Sequence, residues 1–378
     1  MRVNMKTIYF IVLSLICSRC FTVTAQGKLF PIEIKGKWGY MDSLGKMHIP
    51  AQFDYADDFN EGFAVVALNR MPCIIDLQAK RVVDTGLYQN ISRVSEGLAA
   101  VTDYQWKRYY VNTRGAVVIS LPSEVYEARP FYNGVAVVSI ATDIHETKFG
   151  RDIATFGYLF GYIDKTGKML TGFIYDDADD MQNGLSRMKK GLKFGLVNTI
   201  GEEVIKPKYN NIGIFSEGLA AVDAGGFYGV INEKAEEVIK PKFEFIYPFS
   251  QGLAGFWQKG KYGFIDASGE IMVQPVFDAI KPFAEGKAAA KKDGKWGFID
   301  TKGNWVIRNV FDEAGMFADG FCAVLFKRKW GYINASGQTV IPYDFDAAGA
   351  FHDGVANVLY KDISLYIDKL GRILPILK

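Results

Sequence analysis

The sequence predicts an all-β protein made of nine to ten tandem copies of one antiparallel meander of about 34 residues,. Three observations carry this. A glycine that usually follows a bulky residue recurs at Gly161, Gly195, Gly229, Gly263, Gly297 and Gly331, always 34 apart. A second glycine, after an acidic or amide residue, recurs with the same period at Gly184, Gly218, Gly252, Gly286, Gly320 and Gly354. The segments between are short, rich in β-branched residues and bounded by turn residues, with no long amphipathic helical pattern. An array of this kind escapes the usual limit on core size, because each unit packs only on its neighbours. The expected arrangement is an open superhelical or toroidal array. A closed β-propeller is the alternative, since nine to ten units are many for a ring of typically about four to eight blades.

Residues 1–25 read as a secretory signal peptide. Arg2 and Lys6 give a basic start, and Ile8 to Cys17 is apolar apart from Ser14. Val23-Thr24-Ala25 is a small-residue site that puts cleavage before Gln26,. The apolar run, about ten residues, is half the ~20 that a spanning helix needs. Neither Cys17 nor Cys20 follows the small residue that lipoprotein processing wants, and no later segment reaches spanning length. The leader carries three bases and no acid, so its removal takes the net charge from +2 to −1. Nothing is left to attract a nucleic acid electrostatically. The expectation is an exported chain, periplasmic, cell-surface or secreted, with no integral membrane span, and residues 26–378 as the repeat array.

Within the array, the strand that carries the first glycine is typified by Trp296-Gly297-Phe298-Ile299. It ends at a slot that is always Asp or Asn: Asp42, Asp76, Asn112, Asp164, Asn198, Asn232, Asp266, Asp300, Asn334 and Asp368. Three residues later eight copies have glycine and two have alanine. Asx followed by Gly at that spacing predicts a type I turn closing through a left-handed residue, with the Asx side chain accepting backbone N–H groups. A β-branched outgoing strand follows, such as Thr339-Val340-Ile341, and then Pro50, Pro207, Pro241, Pro275, Pro342 or Pro375, which is expected to end the ladder,. An irregular connection holds an aromatic, often Asp, and then a recurrent phenylalanine (Phe59, Phe131, Phe215, Phe249, Phe283, Phe317, Phe351). After the acidic-Gly step comes a small-residue strand of the Leu219-Ala220-Ala221-Val222 type, which leads into the next unit. One connection, Ser139 to Leu159, is longer than the others by roughly sixteen residues, and such insertions map to loops on one face, often the binding face.

These motifs resemble the WG-repeat family, named for its Trp-Gly pair, in which Gly-Lys-Trp-Gly-Phe-Ile-Asp-x-x-Gly is followed by Glu-Gly-Leu-Ala. The likeness spans nearly the whole mature chain. It implies a bacterial β-repeat array, often exported, without an assigned activity. The pair is lost at Met71 to Ile75 and at Lys107 to Val111, so the second and third units are expected to be irregular.

The residues argue for binding rather than catalysis. The slot before the second glycine holds Glu61, Glu96, Asn133, Asn183, Glu217, Gln251, Glu285, Asp319 and Asp353. A position filled by acids and amides alike needs an oxygen acceptor, not a proton, so general acid–base work is not its task. One such oxygen per unit is also well short of a calcium site. His48, His145 and His352 stand in unrelated slots without metal spacing, and no nucleophile elbow, P-loop or dinucleotide fingerprint occurs. No cofactor or metal is expected. Cys73 and Cys322 stand where other copies carry a small residue, which predicts buried thiols; export permits a disulfide but two cysteines do not make a scaffold. The slot aromatics, Trp38, Phe160, Phe194, Tyr228, Tyr262, Trp296 and Trp330, recur at the structural period and are expected in the core. Trp106, Trp257 and Trp305 are off that frame. Together with His145 and Phe149 of the insertion they are the candidate partner-binding residues. The expected function is an exported, non-catalytic binding or scaffolding protein with a protein or glycan partner; the alternative is a cell-surface polymer hydrolase.

Overall fold

The repeat is a small twisted sheet of the kind that forms a propeller blade. In the computed structural model the described residues are 28–42, 46–148 and 151–374. The leader, its cleavage site, Gly45, Phe149 and Pro375 lie outside them. The described strands form ten antiparallel sheets, seven of four strands and three of three. The chain divides into two compact parts, one up to Arg93 and one from Val94 onward. The first part holds sheets with strands Phe30–Ile34, Lys37–Met41 and Met47–Phe53, and then Tyr55–Ala56, Phe63–Leu68, Met71–Asp76 and Arg81–Val83. The second part repeats the same plan in order along the chain.

A regular sheet of the second part shows why these residues pair as they do. Its strands are Ala279–Ile280, Ala288–Lys292, Lys295–Ile299 and Trp305–Phe311, hydrogen-bonded in sequence order. The segment expected to be irregular thus supplies a fourth, two-residue strand. The Asx turn forms as its chemistry demands. Asp300 Oδ1 accepts the N–H groups of Lys302 and Asn304, both at 2.9 Å, and Gly303 closes the turn at φ +83°. Nine copies make this same pair of bonds, from Asp76 to Asp368.

The glycine of the Trp-Gly pair answers a demand for space rather than for conformation. In the sixth sheet Tyr228 pairs with Phe243 and Val230 with Ile239, so the outgoing strand bulges by two residues opposite Gly229. A Cβ on Gly229 would lie 2.4 Å from Ile239 O and 2.8 Å from Pro241 N. Pro241 sits in that bulge, and the strand continues to Phe243. The same holds for Pro50, Pro207, Pro275 and Pro342, so these prolines do not end the ladder; they occupy a bulge, where no N–H is needed,. Where the glycine is absent the bulge is absent too. Opposite Cys73 the outgoing strand is only Arg81–Val83, and Tyr109 pairs directly with Ser120.

Neighbouring sheets of one part are joined through three columns. Rings pair between the Trp-Gly strand and the recurrent phenylalanine, as in Phe264–Phe283 (4.7 Å), Phe298–Phe317 (4.9 Å) and Tyr332–Phe351 (4.8 Å),. Buried tyrosines donate onward: Tyr110 OH to Arg129 O at 2.7 Å and Tyr332 OH to Gly349 O at 2.9 Å. The residue before the second glycine lies in the left-handed region (Glu217 φ +53°, Glu285 φ +49°), forming a tight primed turn with the glycine,. Its side chain accepts from the next turn along the chain: Glu217 from Gln251 N and Gly252 N, Gln251 from Gly286 N, Asp319 from Gly354 N. This explains why acids and amides interchange there. The Asp of the connection is equally occupied. Asp278 accepts from Lys261 Nζ at 2.5 Å and from the turn amide of Asp293 at 3.1 Å, and Asp312 does the same with Lys295 and Lys327.

Of the slot aromatics only Trp296 (6% exposed) and Phe160 (8%) are buried; Trp38, Phe194, Tyr228, Tyr262 and Trp330 are half-buried. The ring that fills the core is two places further on, at Tyr40, Tyr162, Phe264, Phe298 and Tyr332. Among the described residues there is no helix, so none is long and apolar enough to cross a membrane.

Candidate ligand-binding surfaces

The expected insertion is an extended hairpin. Strands Val135–Lys148 and Arg151–Asp164 pair without a break from Val135↔Asp164 to Lys148↔Arg151. His145 stands opposite Ala154 in this ladder. Phe149 lies outside the described residues. In a regular sheet the equivalent strands turn directly at a residue pair such as Asp293-Gly294, and an Asp such as Asp278 caps that turn. The longer hairpin has no turn there to cap. Tyr126 takes the place of the Asp and Tyr158 the place of the turn glycine. Their rings lie 4.8 Å apart, and both side chains are exposed. The Arg108 guanidinium covers Tyr126 at 5.4 Å,. A hydrogen bond with the Tyr126 hydroxyl raises the Tyr158 phenol above its ordinary range.

Trp106 joins this surface through the backbone. The third sheet turns through Asp103–Lys107, where Asp103 Oδ1 accepts from Gln105 N and Lys107 N at 2.9 Å. Trp106 is held at φ +64°, a region uncommon for a bulky residue, with its ring 65% exposed,. Arg108 Nη1 donates to Trp106 O at 2.6 Å, and Tyr104 beside it is 51% exposed. Left-handed backbone costs of order 1 kcal/mol or more, and here it leaves a large apolar ring in water. The turn after Asp103 imposes this conformation, as the turns after Asp76 and Asn232 impose it on Ala79 (φ +60°) and Ala235 (φ +63°).

The other two candidates stand apart. Trp305 packs edge-on against Phe277 of the preceding sheet at 5.7 Å, and Trp257 lies between Phe245 and Tyr262 in the seventh sheet. Both are little more than one-third exposed. The structure does not bring them together with Trp106. His48 is bonded to Asp42 at 2.8 Å. Cys73 and Cys322 are free buried thiols, and burial pushes Cys322 up to about 12. Among the described residues no three His, Cys, Asp or Glu side chains gather as a metal site.

A second surface escaped the sequence reading. A cleft of about 270 Å³ in the second part is lined by Arg129, Asp179, Asp180, Gln182 and Arg187, with Ile214 and Phe215 on its apolar side. Arg187 occupies the small-residue strand, in the column that otherwise holds Val65, Ala100, Val137, Ala221, Gly255, Ala289, Ala323 and Asn357. It is the only charged member. That anomaly is readable in the sequence once the copies are aligned strand by strand. Arg187 Nε donates to Asp179 at 2.8 Å and Nη1 to Ile212 O at 2.9 Å, with the guanidinium 5.1 Å over Phe194. Arg129 repeats the arrangement one sheet earlier, donating to Glu127 and to Ala178 O and lying 5.3 Å over Phe160.

Known proteins place the chain in a family. The model of the WG containing repeat matches residues 38–70, 160–193, 194–226, 228–262, 262–296, 296–330 and 330–362, together more than half of the chain. The chain belongs to the WG-repeat family. The gap between the first two matches is the stretch where Cys73 and Tyr109 replace the glycine and where the long hairpin stands. No curated protein matches the chain in sequence. Solved structures similar to it include a eukaryotic initiation factor, at 10% identity and TM-score 0.46, covering 93% of this chain and 96% of that one. Others are an extracellular domain of a one-component system from B. thetaiotaomicron (10% identity, TM-score 0.28, 92% and 64% covered) and BamB from Moraxella catarrhalis (9%, 0.31, 82% and 92%). Likeness this loose carries no argument about function.

Proposed function

We propose that this WG-repeat protein is exported and acts without catalysis, as a binding or scaffolding protein for a glycan or protein partner. The observation that carries the reading is the ring platform of Trp106, Arg108, Tyr126 and Tyr158. In the regular sheets the recurrent acids and amides are taken up by turns and ion pairs. Here the repeat gives up its capping Asp and its tight turn, and two exposed rings 4.8 Å apart, one of them under the Arg108 guanidinium, stand there instead. Flat aromatic surface edged by phenol and guanidinium groups supplies large contact area at little conformational cost. The leader supports export.

The test is binding of the mature chain to immobilised polysaccharides and to envelope proteins of the producing cell, compared with the Trp106→Ala and Tyr126→Ala variants. Saturable binding that both variants weaken at least about tenfold, the effect of losing about 1.4 kcal/mol, is the expected result. Undiminished binding by both variants would move the site elsewhere, and release of soluble products would favour the hydrolase alternative.

A further inference from the structure

Each sheet turns between its small-residue strand and its Trp-Gly strand at a tip, and one slot of that tip divides the copies into two groups. The third residue before the glycine slot of the Trp-Gly pair is Gly36, Arg70, Gly226, Gly260, Gly294, Arg328 or Asp362 in seven sheets, glycine or a charged residue each time. In the third, fourth and fifth sheets it is Trp106, Tyr158 and Leu192, exposed by 65%, 40% and 84%. The sixth sheet keeps Gly226 but changes the residue after it. Lys37, Lys193, Lys261, Lys295 and Lys329 hold that place in five sheets, each donating to an acid or amide further along the chain. In the sixth sheet it is Phe227, 53% exposed. A lone exposed leucine is ordinary. Three consecutive apolar residues in a slot otherwise filled by glycine or charge, with an exposed phenylalanine beside that slot in the fourth, are not.

Neighbouring tips are tied to each other. Arg108, two residues after Trp106, covers Tyr126 at 5.4 Å, whose ring is 4.8 Å from Tyr158, and so joins the third tip to the fourth. Lys193 Nζ donates to Asn210 Oδ1 at 2.5 Å, Asn210 Nδ2 to Asp223 Oδ1 at 3.2 Å, and Gly226 N to that same oxygen at 2.7 Å, which joins the fifth to the sixth. Cations flank the apolar side chains: Lys107 and Arg108 beside Trp106, and Lys189, Lys190 and Lys193 around Leu192. The carboxylates of the same turns face the backbone instead. Asp103 accepts from Gln105 N and Lys107 N, Asp176 from Gly191 N, and Asp223 from Gly226 N. The row presents apolar side chains among positive charges.

Shape and charge together select the partner. A protein interface needs a continuous, packed apolar centre, whereas these side chains project singly from separate turns. A bilayer surface is fluid and receives separate tips without a matching contour. Leucine and aromatic rings enter it at the headgroup level while lysines stay with the phosphates. We infer that the tips of the third to sixth sheets dock on the surface of a lipid bilayer containing anionic headgroups, with Leu192 and Phe227 as the inserted side chains. The chain then lies on the membrane and does not span it. Trp106 and Tyr158 belong to the ring platform as well, so the test rests on Leu192 and Phe227, which the binding reading above does not use.

The experiment is co-sedimentation of the mature chain with vesicles of phosphatidylethanolamine and phosphatidylglycerol, against vesicles of phosphatidylcholine alone. Binding is expected to the anionic vesicles, about fivefold weaker or more to the neutral ones, and weakened by salt. Leu192→Gly and Phe227→Ala should each weaken it about fivefold or more. The slot of Leu192 is glycine in four other sheets, so the fold tolerates the first change. Arg328→Gly, in the same slot of the ninth sheet, should leave binding as it is. In Leu192→Trp the added indole emission, relative to the parent chain, should shift to the blue on anionic vesicles and be quenched by brominated lipid. No binding to anionic vesicles, full binding in both Leu192→Gly and Phe227→Ala, or a Leu192→Trp emission that vesicles do not change would overturn the inference. Self-association without lipid that Leu192→Gly abolishes would assign the tips to a second copy and overturn it too. Failure on vesicles by a chain that still holds its glycan or protein ligand through Trp106 and Tyr126 would refute the membrane inference alone.

Discussion

Replacing Gly229 by alanine adds one methyl group to a strand whose neighbour has already moved in to fill the space. Gly229 has no positive φ, so the test isolates packing from backbone strain. The new Cβ would stand 2.4 Å from Ile239 O, against an ordinary carbon–oxygen contact of roughly 3.4 Å,. The next obstacles, Pro241 N and Cδ at 2.8 and 3.0 Å, belong to the same bulge, so the bulge must shift by about 1 Å as a body,. Overpacking of this kind costs about 1–3 kcal/mol, and a ladder hydrogen bond lost in the shift adds about 1 kcal/mol. A destabilisation of about 2–4 kcal/mol is expected from urea unfolding followed by far-UV circular dichroism. Gly172→Ala is the control. There the nearest atom is the end of the Ile174 side chain at 3.4 Å, an ordinary contact, and the loss should be below about 1 kcal/mol,. Equal losses at the two positions, or none at Gly229, would refute the claim that this glycine exists to admit the bulge.

Trp296→Ala should cost about 3–5 kcal/mol as a buried aromatic truncation, and Trp257→Ala clearly less because its ring is 36% exposed,; parallel urea titrations check the difference. The carboxyls of Asp54, Asp278 and Asp346 are held below their usual value chiefly by hydrogen bonds from Lys37, Lys261 and Lys329. Their stabilisation is present above the unfolded carboxyl range and is lost as pH falls through the lower folded values. The melting temperature should therefore be level above about pH 5 and fall on acidification below about pH 4; a rise there would contradict the ion-pair column. Replacing Ala141–Phe156 by a short Asn-Gly turn should leave unfolding cooperative, since Val135–Ile140 and Leu159–Asp164 keep their pairing across a four-residue loop,; aggregation or loss of the β spectrum would show that the long hairpin is structural. Intact mass of the exported protein should begin at Gln26, and a chain retaining Met1 would refute the leader.

Features fixed by local chemistry were legible from the chain alone. The ten Asx slots and the glycines three residues later name their turn, because a side-chain acceptor and a positive φ are demands that a few neighbouring residues impose on themselves,. The interchange of Glu, Gln, Asn and Asp before the second glycine likewise announced an acceptor without a charge. What that acceptor faces was not legible, since Gly252 and Gly286 meet Glu217 and Gln251 only when successive sheets pack. The prolines misled for the same reason. A missing N–H is compatible with the end of a ladder or with a bulge, and only the carbonyl of Ile239 pressed against Gly229 decides between them. The binding surfaces belong to the tertiary structure most of all. Trp106 stood out as off-frame, yet Tyr126 and Tyr158 are 32 residues apart and come within 4.8 Å of each other only because the lengthened hairpin carries the strands past the point where the other hairpins turn. Arg129 follows the strand Val125–Ala128 and Arg187 stands in a strand of the next sheet, and they converge because each reaches for the carbonyl of the sheet after its own, Ala178 in one case and Ile212 in the other. A sequence states what each residue requires nearby; which distant residue meets that requirement is settled by packing.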